Sequence, residues 1–418
     1  MPHGPIPIPD PRAAARPLLW QQAGGAAGGG EDAGPLGDLP LWDFSGLYAD
    51  PAEPKIDADL QAAEAEVKAF AAAHEGKLAE HSAAEMLAAL KSYEAIYDKI
   101  GRAISYVGLR YQQNSADPER GKALGDAQAR ITDITAPLVF FDLEINRIDD
   151  AVLEAKFSAD PALARYRPFF DQIRAGRPHQ LSDELEKFLH DQSVVGASAW
   201  NRLFDETMSS LEIPIGDEVL ALEPALTRLT DADREKRAAA AKALGETFEK
   251  NIRLFARITN TLAKEKEISD RWRKLPTPEH GRHLSNQVEP EVVEALRDAV
   301  TQAYPRLSHR YYTLKAGWLG LDRLQTWDRN APLPQADERP IPWFDARDMV
   351  LSAYGEFAPE MADIAGRFFD ENWIDAAVRP GKSPGAFAHP TVTSAHPFVM
   401  LNYLGKSRDV MTLAHELG

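Results

Sequence analysis

The last ten residues, 409–418, read D-V-M-T-L-A-H-E-L-G. From His415 onward they match the first four positions of H-E-x-x-H, a helical pattern that binds zinc. Two His residues four apart lie one turn apart on the same helix face, so both imidazoles can reach one metal ion. The Glu between them can accept a proton from a metal-bound water. Because the sequence ends one residue before the second His would stand, we expect it to be cut inside its own active-site helix.

The residues around this pattern have the spacing of an amphipathic helix. Val410, Leu413 and Leu417 recur at intervals of three and four, which predicts a helix from about Ser407 with one buried face. His415 lies off that stripe, so the helix can be anchored in a core while it presents His415 to a cleft. We also expect the apolar face to be partly uncovered, because further helices of the domain would lie beyond residue 418.

The His-Glu dipeptide by itself is a weak signal, and the same sequence supplies a control. His74-Glu75 has Leu78 at the fifth position, so no zinc pair forms there. On spacing alone, a structural His at a helix end remains an alternative for His415. His280 and His283 form a second possible metal pair, but turn-forming neighbours place them in a predicted loop.

Composition narrows the function classes. A length of 418 residues is enough for two or three domains or one large two-lobed body, and 44% of the residues are hydrophobic, as in ordinary globular proteins. A net charge of −17 argues against binding to nucleic acid or to an anionic membrane surface. With no Cys, thiolate catalysis is excluded, and a metal site must use His, Asp or Glu. The sequence shows neither a long apolar run nor a secretory signal, and we expect a cytoplasmic protein.

Helical periodicity dominates the chain, and short strands precede the last helix. Residues 1–38 are rich in Pro, Gly and Ala and predict a disordered tail. The main helix signals are a capping box at Ser82 and Glu85, a start at Asp117-Pro118, a stop at Pro137, a cap at Thr230 to Asp233, a start at Pro290 and one continuous helix over 345–371. Alternating residues predict a hairpin within 211–226 and strands within 373–376, 385–388 and 396–403.

Three stretches near the C-terminus together resemble the oligoendopeptidase F family, relatives of thimet oligopeptidase. They are W-I-D-A-A-V-R-P-G-K-S-P-G-A-F (373–387), H-P-F-V-M-L-N-Y (396–403) and R-D-V-M-T-L-A-H-E-L-G (408–418). Weaker similarity at 39–48, 283–296 and 311–321 extends the resemblance over residues 39–418. It implies a mainly α, two-lobed helical shell around a channel, with a small β-sheet beside the active-site helix. The expected division is an N-terminal helical lobe at 39–205 and a catalytic metallopeptidase domain at 206–418, incomplete at its C-terminus.

The resemblance also implies roles for individual residues. His415 matches the first zinc ligand and Glu416 the general base. Gly385, Ala386 and Phe387 resemble a cleft-edge strand whose backbone can pair with an extended peptide substrate. His396 is a candidate for the cleft, although a structural role is the alternative. The family's second His, its Glu ligand and its oxyanion-stabilising His and Tyr match nothing within residues 1–418.

These features predict a zinc-dependent endopeptidase that cleaves short oligopeptides, with one Zn²⁺ per full-length chain. Nucleic acid and membrane partners are not expected, and the sequence does not determine the oligomeric state. The competing interpretation is a non-enzymatic α-helical peptide-binding module, which needs no second His. A catalytic zinc site uses three protein ligands, so we expect residues 1–418 alone to bind zinc weakly and to lack peptidase activity.

Overall fold

The structure, a computed structural model, describes residues 34–49, 55–334, 339–379, 381–383 and 385–418. It is mainly α-helical with two small sheets, which confirms the predicted fold class. Most of the predicted tail, residues 1–33, lies outside the described residues. Residues 34–38, predicted as part of that tail, are instead held in place. The carbonyl of Leu36 accepts a hydrogen bond from the main chain of Trp343 at 2.9 Å.

The first half of the chain is a series of helices whose ends follow the sequence signals. The capping box at Ser82 and Glu85 is present in both directions, and Asp117 caps a helix with Pro118 at its first position. At Pro137 the chain passes through a 3₁₀ turn, as predicted. The helices are α1 (Ile56–His74), α2 (Ala83–Gln113), α3 (Pro118–Thr135), α4 (Val139–Arg147), α5 (Asp150–Ala159), α6 (Pro161–Ala164), α7 (Arg167–Ala175), α8 (Asp183–Gln192) and α9 (Ala197–Ser209).

Helices α1–α7 enclose one hydrophobic core, and we call this unit the N-terminal bundle. At its centre the Phe141 ring stacks on Tyr93 at 4.5 Å and meets Phe70 edge-on at 5.5 Å. Burial of this apolar surface, worth roughly 25 cal/mol per Å², stabilises the bundle. Its fully buried side chains include Leu60, Val67, Leu78, Met86, Leu90, Phe141, Ile145, Leu163 and Phe170.

The middle of the chain begins with the predicted hairpin, in which Gly216 adopts a φ of +62° at the turn. Asp233, and not Thr230, caps the long helix that follows, because its carboxylate accepts the Glu235 N–H while residues up to Thr230 form a 3₁₀ turn. His280 and His283 lie in a short helix, so the predicted loop was wrong. The elements are β1 (Ile213–Ile215), β2 (Glu218–Leu220), α10 (Leu222–Thr227), α11 (Arg234–Trp272), α12 (His280–Ser285), α13 (Pro290–Ala303) and α14 (Arg310–Trp318).

The last part carries a three-stranded sheet between helices. The predicted single helix over 345–371 was wrong, because Pro359 forces Ala358 into an extended conformation and splits it in two. Strand order is β3-β5-β4, with β5 parallel to β3 and antiparallel to β4. The elements are α15 (Trp343–Phe357), α16 (Pro359–Asp370), β3 (Ile374–Asp375), β4 (Phe387–His389), β5 (Phe398–Met400) and α17 (Ser407–Leu417).

The segment before α1 connects the two ends of the chain. The Trp42 indole N–H lies 3.1 Å from the carbonyl of Trp373 and 2.9 Å from that of Val399. The carbonyl of Pro40 accepts a hydrogen bond from the Ala376 N–H. Residues 39–48 therefore pack on the sheet of the last part and on α2, and the division into lobes at 39–205 and 206–418 stays a prediction. Among the described residues, no helix is long and apolar enough to span a bilayer.

Candidate active site

Helix α17 carries the His-Glu pair and is anchored by its apolar face. Leu413 is completely buried, and Val410 and Leu417 are half-buried in the same cluster. The Tyr354 hydroxyl of α15 donates a hydrogen bond to the carbonyl of Ala414. The prediction of an uncovered face was therefore wrong for Leu413, because α15 covers it. Anchoring of the helix in a core is confirmed.

His415 and Glu416 have different surroundings. His415 is exposed, as expected of a residue off the apolar stripe. Glu416 is half-buried, and this burial raises the pKa of its carboxyl group above the ordinary value. Two weaker effects oppose the rise in this pKa: the nearby His415 and a hydrogen bond from the main chain of Ala388. The carboxylate thus lies against strand β4, at the edge of the sheet.

Strand β4 lies at the edge of the sheet, and within the part of the chain that the structure describes no strand pairs with its outer side. Ala388 is opposite Val399 of β5, whose N–H donates to the Trp373 carbonyl beside β3. In an antiparallel pair, hydrogen-bonded and non-hydrogen-bonded residue pairs alternate. Since Val399 uses its N–H on the β3 side, the N–H and carbonyl of Ala388 point outward from the sheet. Helix α17 packs against β4, and the main chain of Ala388 is close enough to Glu416 to lower the pKa of its carboxyl group.

The predicted substrate-binding residues lie at the start of this strand. Of these three residues only Phe387 belongs to β4; the strand begins two residues later and ends one residue later than the predicted 385–388. Gly385 has a φ of +80°, which favours glycine. Ala386 and Phe387 are half-buried, and the Phe387 ring lies 6.3 Å from that of Trp42.

His396 and His389 are held by other parts of the fold. The His396 ring stacks flat on Trp373 with 4.2 Å between centroids and closely approaches Gly46, where no side chain would fit. These contacts favour a structural role, and the cleft role of His396 stays a prediction. The Nε2 atom of His389 lies 2.9 Å from the Ser105 hydroxyl of α2, and burial lowers the pKa of this imidazole to about 4.

A buried ion cluster beside the strands was not predicted. The side chains of Asp375 and Lys382 are both inaccessible to solvent and lie 2.7 Å apart. Arg379 and Gln113 donate to the second carboxylate oxygen of Asp375, at 2.7 and 3.0 Å. The only sequence signal was the presence of ionisable residues in an apolar and turn-rich stretch.

The described residues do not fit a complete zinc centre. Across residues 34–49, 55–334, 339–379, 381–383 and 385–418, no three or more His, Asp or Glu side chains are grouped closely enough to hold a metal. His415 offers one imidazole, whereas a catalytic zinc requires three protein ligands. Any further ligands must come from outside these residues.

Two protein-family models match the chain. The model of peptidase family M3 matches residues 228–418, and that of oligopeptidase F matches residues 144–213. The chain is 25% identical over 329 residues to group B oligopeptidase PepB of Streptococcus agalactiae, covering 77% of this chain and 54% of that protein. It is 24% identical over 356 residues to oligopeptidase PepF of Bacillus subtilis, covering 82% and 52%. The chain thus spans about half the length of these curated relatives.

Solved structures share the fold. Oligoendopeptidase-F from Enterococcus faecium superposes with a TM-score of 0.61 at 22% identity, covering 76% of this chain and 60% of that one. PZ peptidase A superposes with a TM-score of 0.65 at 17% identity, covering 87% and 61%. Together with the two family models, these matches show that the chain belongs to the oligoendopeptidase F family of M3 peptidases.

Proposed function

We propose that a polypeptide extending this sequence to the length of its relatives is a zinc-dependent endopeptidase acting on short oligopeptides. In this proposal His415 is a zinc ligand and Glu416 is the general base. The observation that carries it is the placement of a half-buried carboxylate, Glu416, between an exposed His415 and the uncovered edge of β4. The remaining zinc ligands come from outside the described residues.

The edge of β4 supports the choice of an extended peptide as substrate. Main-chain groups at the edge of a sheet can pair with an added strand, which gives affinity without demanding one sequence. The outward carbonyl of Ala388 is positioned for such pairing, and Gly385 and Ala386 lead into this strand. A peptide bound there passes next to Glu416. Burial raises the pKa of this carboxyl group, which favours proton transfer nearer to neutral pH.

The test of Glu416 is Glu416→Gln in the extended protein. The amide keeps the size of the side chain but cannot accept the proton, so kcat should fall roughly 100- to 10,000-fold on a fluorogenic short peptide. Glu360→Gln on α16, an exposed residue, is the matched control and should be unchanged. Undiminished turnover in Glu416→Gln would remove this residue from the mechanism.

Zinc binding by the 418-residue chain tests the assignment of His415 as one ligand of an incomplete set. With one imidazole available among the described residues, equilibrium dialysis should show only weak zinc binding, and His415→Ala should weaken it further. Tight one-to-one binding by this chain would contradict the assignment, because it would require a complete ligand set that the described residues lack.

A non-enzymatic peptide-binding module is the second candidate. It is favoured by the combination of an uncovered strand edge and an incomplete ligand set. Such a protein would bind short peptides in the extended form without cleaving them at any zinc concentration. Mass spectrometry of the peptide after incubation distinguishes the two candidates.

A further inference from the structure

The loop between β3 and β4 is tied to the sheet by one buried ammonium group. The Nζ atom of Lys382 lies within hydrogen-bond distance of four oxygens. They are the carboxylate of Asp375 at 2.7 Å, its carbonyl at 3.1 Å, and the carbonyls of Ala377 at 2.8 Å and Leu401 at 2.6 Å. Since an ammonium group has three N–H bonds, its donor capacity is fully used. Lys382 therefore joins the ends of β3 and β5 to the loop that leads into β4.

Asn402 holds the same loop two residues before β4. Its Nδ2 atom lies 3.0 Å from the carbonyl of Ser383 and 2.9 Å from that of Gly385. The side-chain amide of Asn402 thus donates both of its hydrogens, one to each of these two carbonyls. Gly385 has a φ of +80°, in the left-handed region that favours glycine. The two hydrogen bonds from Asn402 support the backbone in this conformation.

Helix α2 of the N-terminal bundle also binds this loop. The carbonyl of Gln112, near the end of α2, accepts a hydrogen bond from the Ser383 N–H at 2.9 Å. The neighbouring Gln113 side chain donates to Asp375 at 3.0 Å. Lys382, Ser383 and Gly385 are thus held by α2, by β3 and by the residues after β5.

We infer that Lys382 and Asn402 are positioning residues, which set the β4 edge at its distance from Glu416. Neither side chain contacts the reacting atoms, and Asn402 reaches only the main-chain carbonyls of Ser383 and Gly385. They act through the backbone of Gly385 and β4, the strand against which α17 packs. The catalytic part of this inference rests on the proposed function, since small displacements of a bound substrate cost large factors in rate. The structural part does not depend on it.

The structural part is tested by amide hydrogen exchange in the 418-residue chain carrying Asn402→Ala. Because Ala388 points outward, Phe387 and His389 are the residues whose amides pair with β5. Loss of two hydrogen bonds should speed exchange at these two amides at least about tenfold, while α2 stays protected. Asn251→Ala is the matched control, because its amide also donates to one main-chain carbonyl, on α11 far along the chain. Unchanged exchange at 387 and 389, or equal acceleration in α2, would overturn the inference.

Lys382→Met tests the second residue and keeps the length of the side-chain stem. It should give the same local acceleration with an unchanged circular dichroism spectrum. Global loss of helix in this variant would place Lys382 with the core of the fold and overturn its assignment to the strand edge.

The catalytic part is tested in the extended protein with a short peptide. Asn402→Ala should raise KM and lower kcat together, whereas Asn251→Ala should change neither. If hydrogen exchange shows that β4 is loosened in Asn402→Ala while KM and kcat are unchanged, Asn402 is not a positioning residue. If the unsubstituted extended protein cleaves no peptide, the proposed function fails, and the exchange result still decides whether Asn402 and Lys382 hold the strand.

Discussion

The N-terminal bundle and the α13–α14 region are both built from amphipathic helices, yet they differ in what covers their apolar faces. In the bundle, Leu90, Phe141 and Phe170 are completely buried. In α13 no residue is buried, and Leu296 is 64% exposed. Leu307, in the π-helical turn that follows, is 63% exposed.

The spacing in the two regions is equally regular, so spacing alone does not explain the difference. The exposed side chains of α13 recur every four residues and continue through α14: Val292, Leu296, Val300, Tyr304, Leu307, Tyr311, Leu314 and Trp318. A stripe of this kind specifies a helix and the face that is to be buried, but only a neighbouring element turns that face into stability. Several exposed apolar side chains in one such row are typical of an interaction site.

The largest expected effect is on the core of the bundle. Phe141→Ala removes a buried ring that contacts Phe70 and Tyr93, so the free energy of unfolding should fall by about 3–5 kcal/mol. Leu296→Ala should change it by less than about 0.5 kcal/mol, because the side chain is already in water. Urea denaturation of both variants measures the two values. Equal losses would show that the α13 stripe is covered in solution.

The pH dependence of stability tests the contact between the N-terminal bundle and the sheet at His389. Burial lowers the pKa of His389 to about 4, from 6.5 when exposed, and its partner is Ser105 of α2. Between these two values the unfolded chain binds more protons than the folded one. The free energy of unfolding therefore falls as pH is lowered from 6.5 to 4, by up to about 3 kcal/mol.

The measurement is the urea midpoint across this pH range in the parent chain and in His389→Gln. Between pH 6.5 and 4 the free energy of unfolding should fall less steeply in the variant than in the parent, because the contribution of His389 is removed. His309→Gln, which replaces an exposed His in the α13–α14 region, should keep the parent's slope. A parent-like slope in His389→Gln would assign the pH dependence to other groups.

Local signals explain which parts of the fold the sequence predicted. Ser82 with Glu85 and Asp117 with Pro118 cap helices using only neighbouring residues, so their chemistry can be read from a short stretch. The split at Pro359 is also encoded locally, but the apolar spacing continues across it and by itself predicts one helix. The bond from Trp42 to Val399 joins residues 357 apart, and no local pattern encodes such a pairing.

The candidate site likewise combines residues that the sequence predicted with contacts that depend on the fold. The motif and the family resemblance pointed to His415 and Glu416, because one helical turn contains both. The approach of Glu416 to Ala388 depends on how α17 docks against β4, which spacing within the helix does not determine. Likewise Asp375 and Lys382 are seven residues apart, and only the fold makes them a buried pair.

The smallest expected effect on stability comes from changing the exposed stripe to charge. Leu296→Lys with Leu307→Lys should alter the free energy of unfolding by less than about 1 kcal/mol in total, since neither side chain is buried. The same change should reduce self-association at high protein concentration, because it breaks the contiguous apolar face. Sedimentation velocity at two concentrations measures this. The charge-matched control, Gln128→Lys with Ser158→Lys on exposed positions of the bundle, shifts the net charge equally and leaves the stripe intact. If both double variants reduce association alike, net charge and not the α13–α14 face governs it, and the contrast between the two regions would be confined to folding.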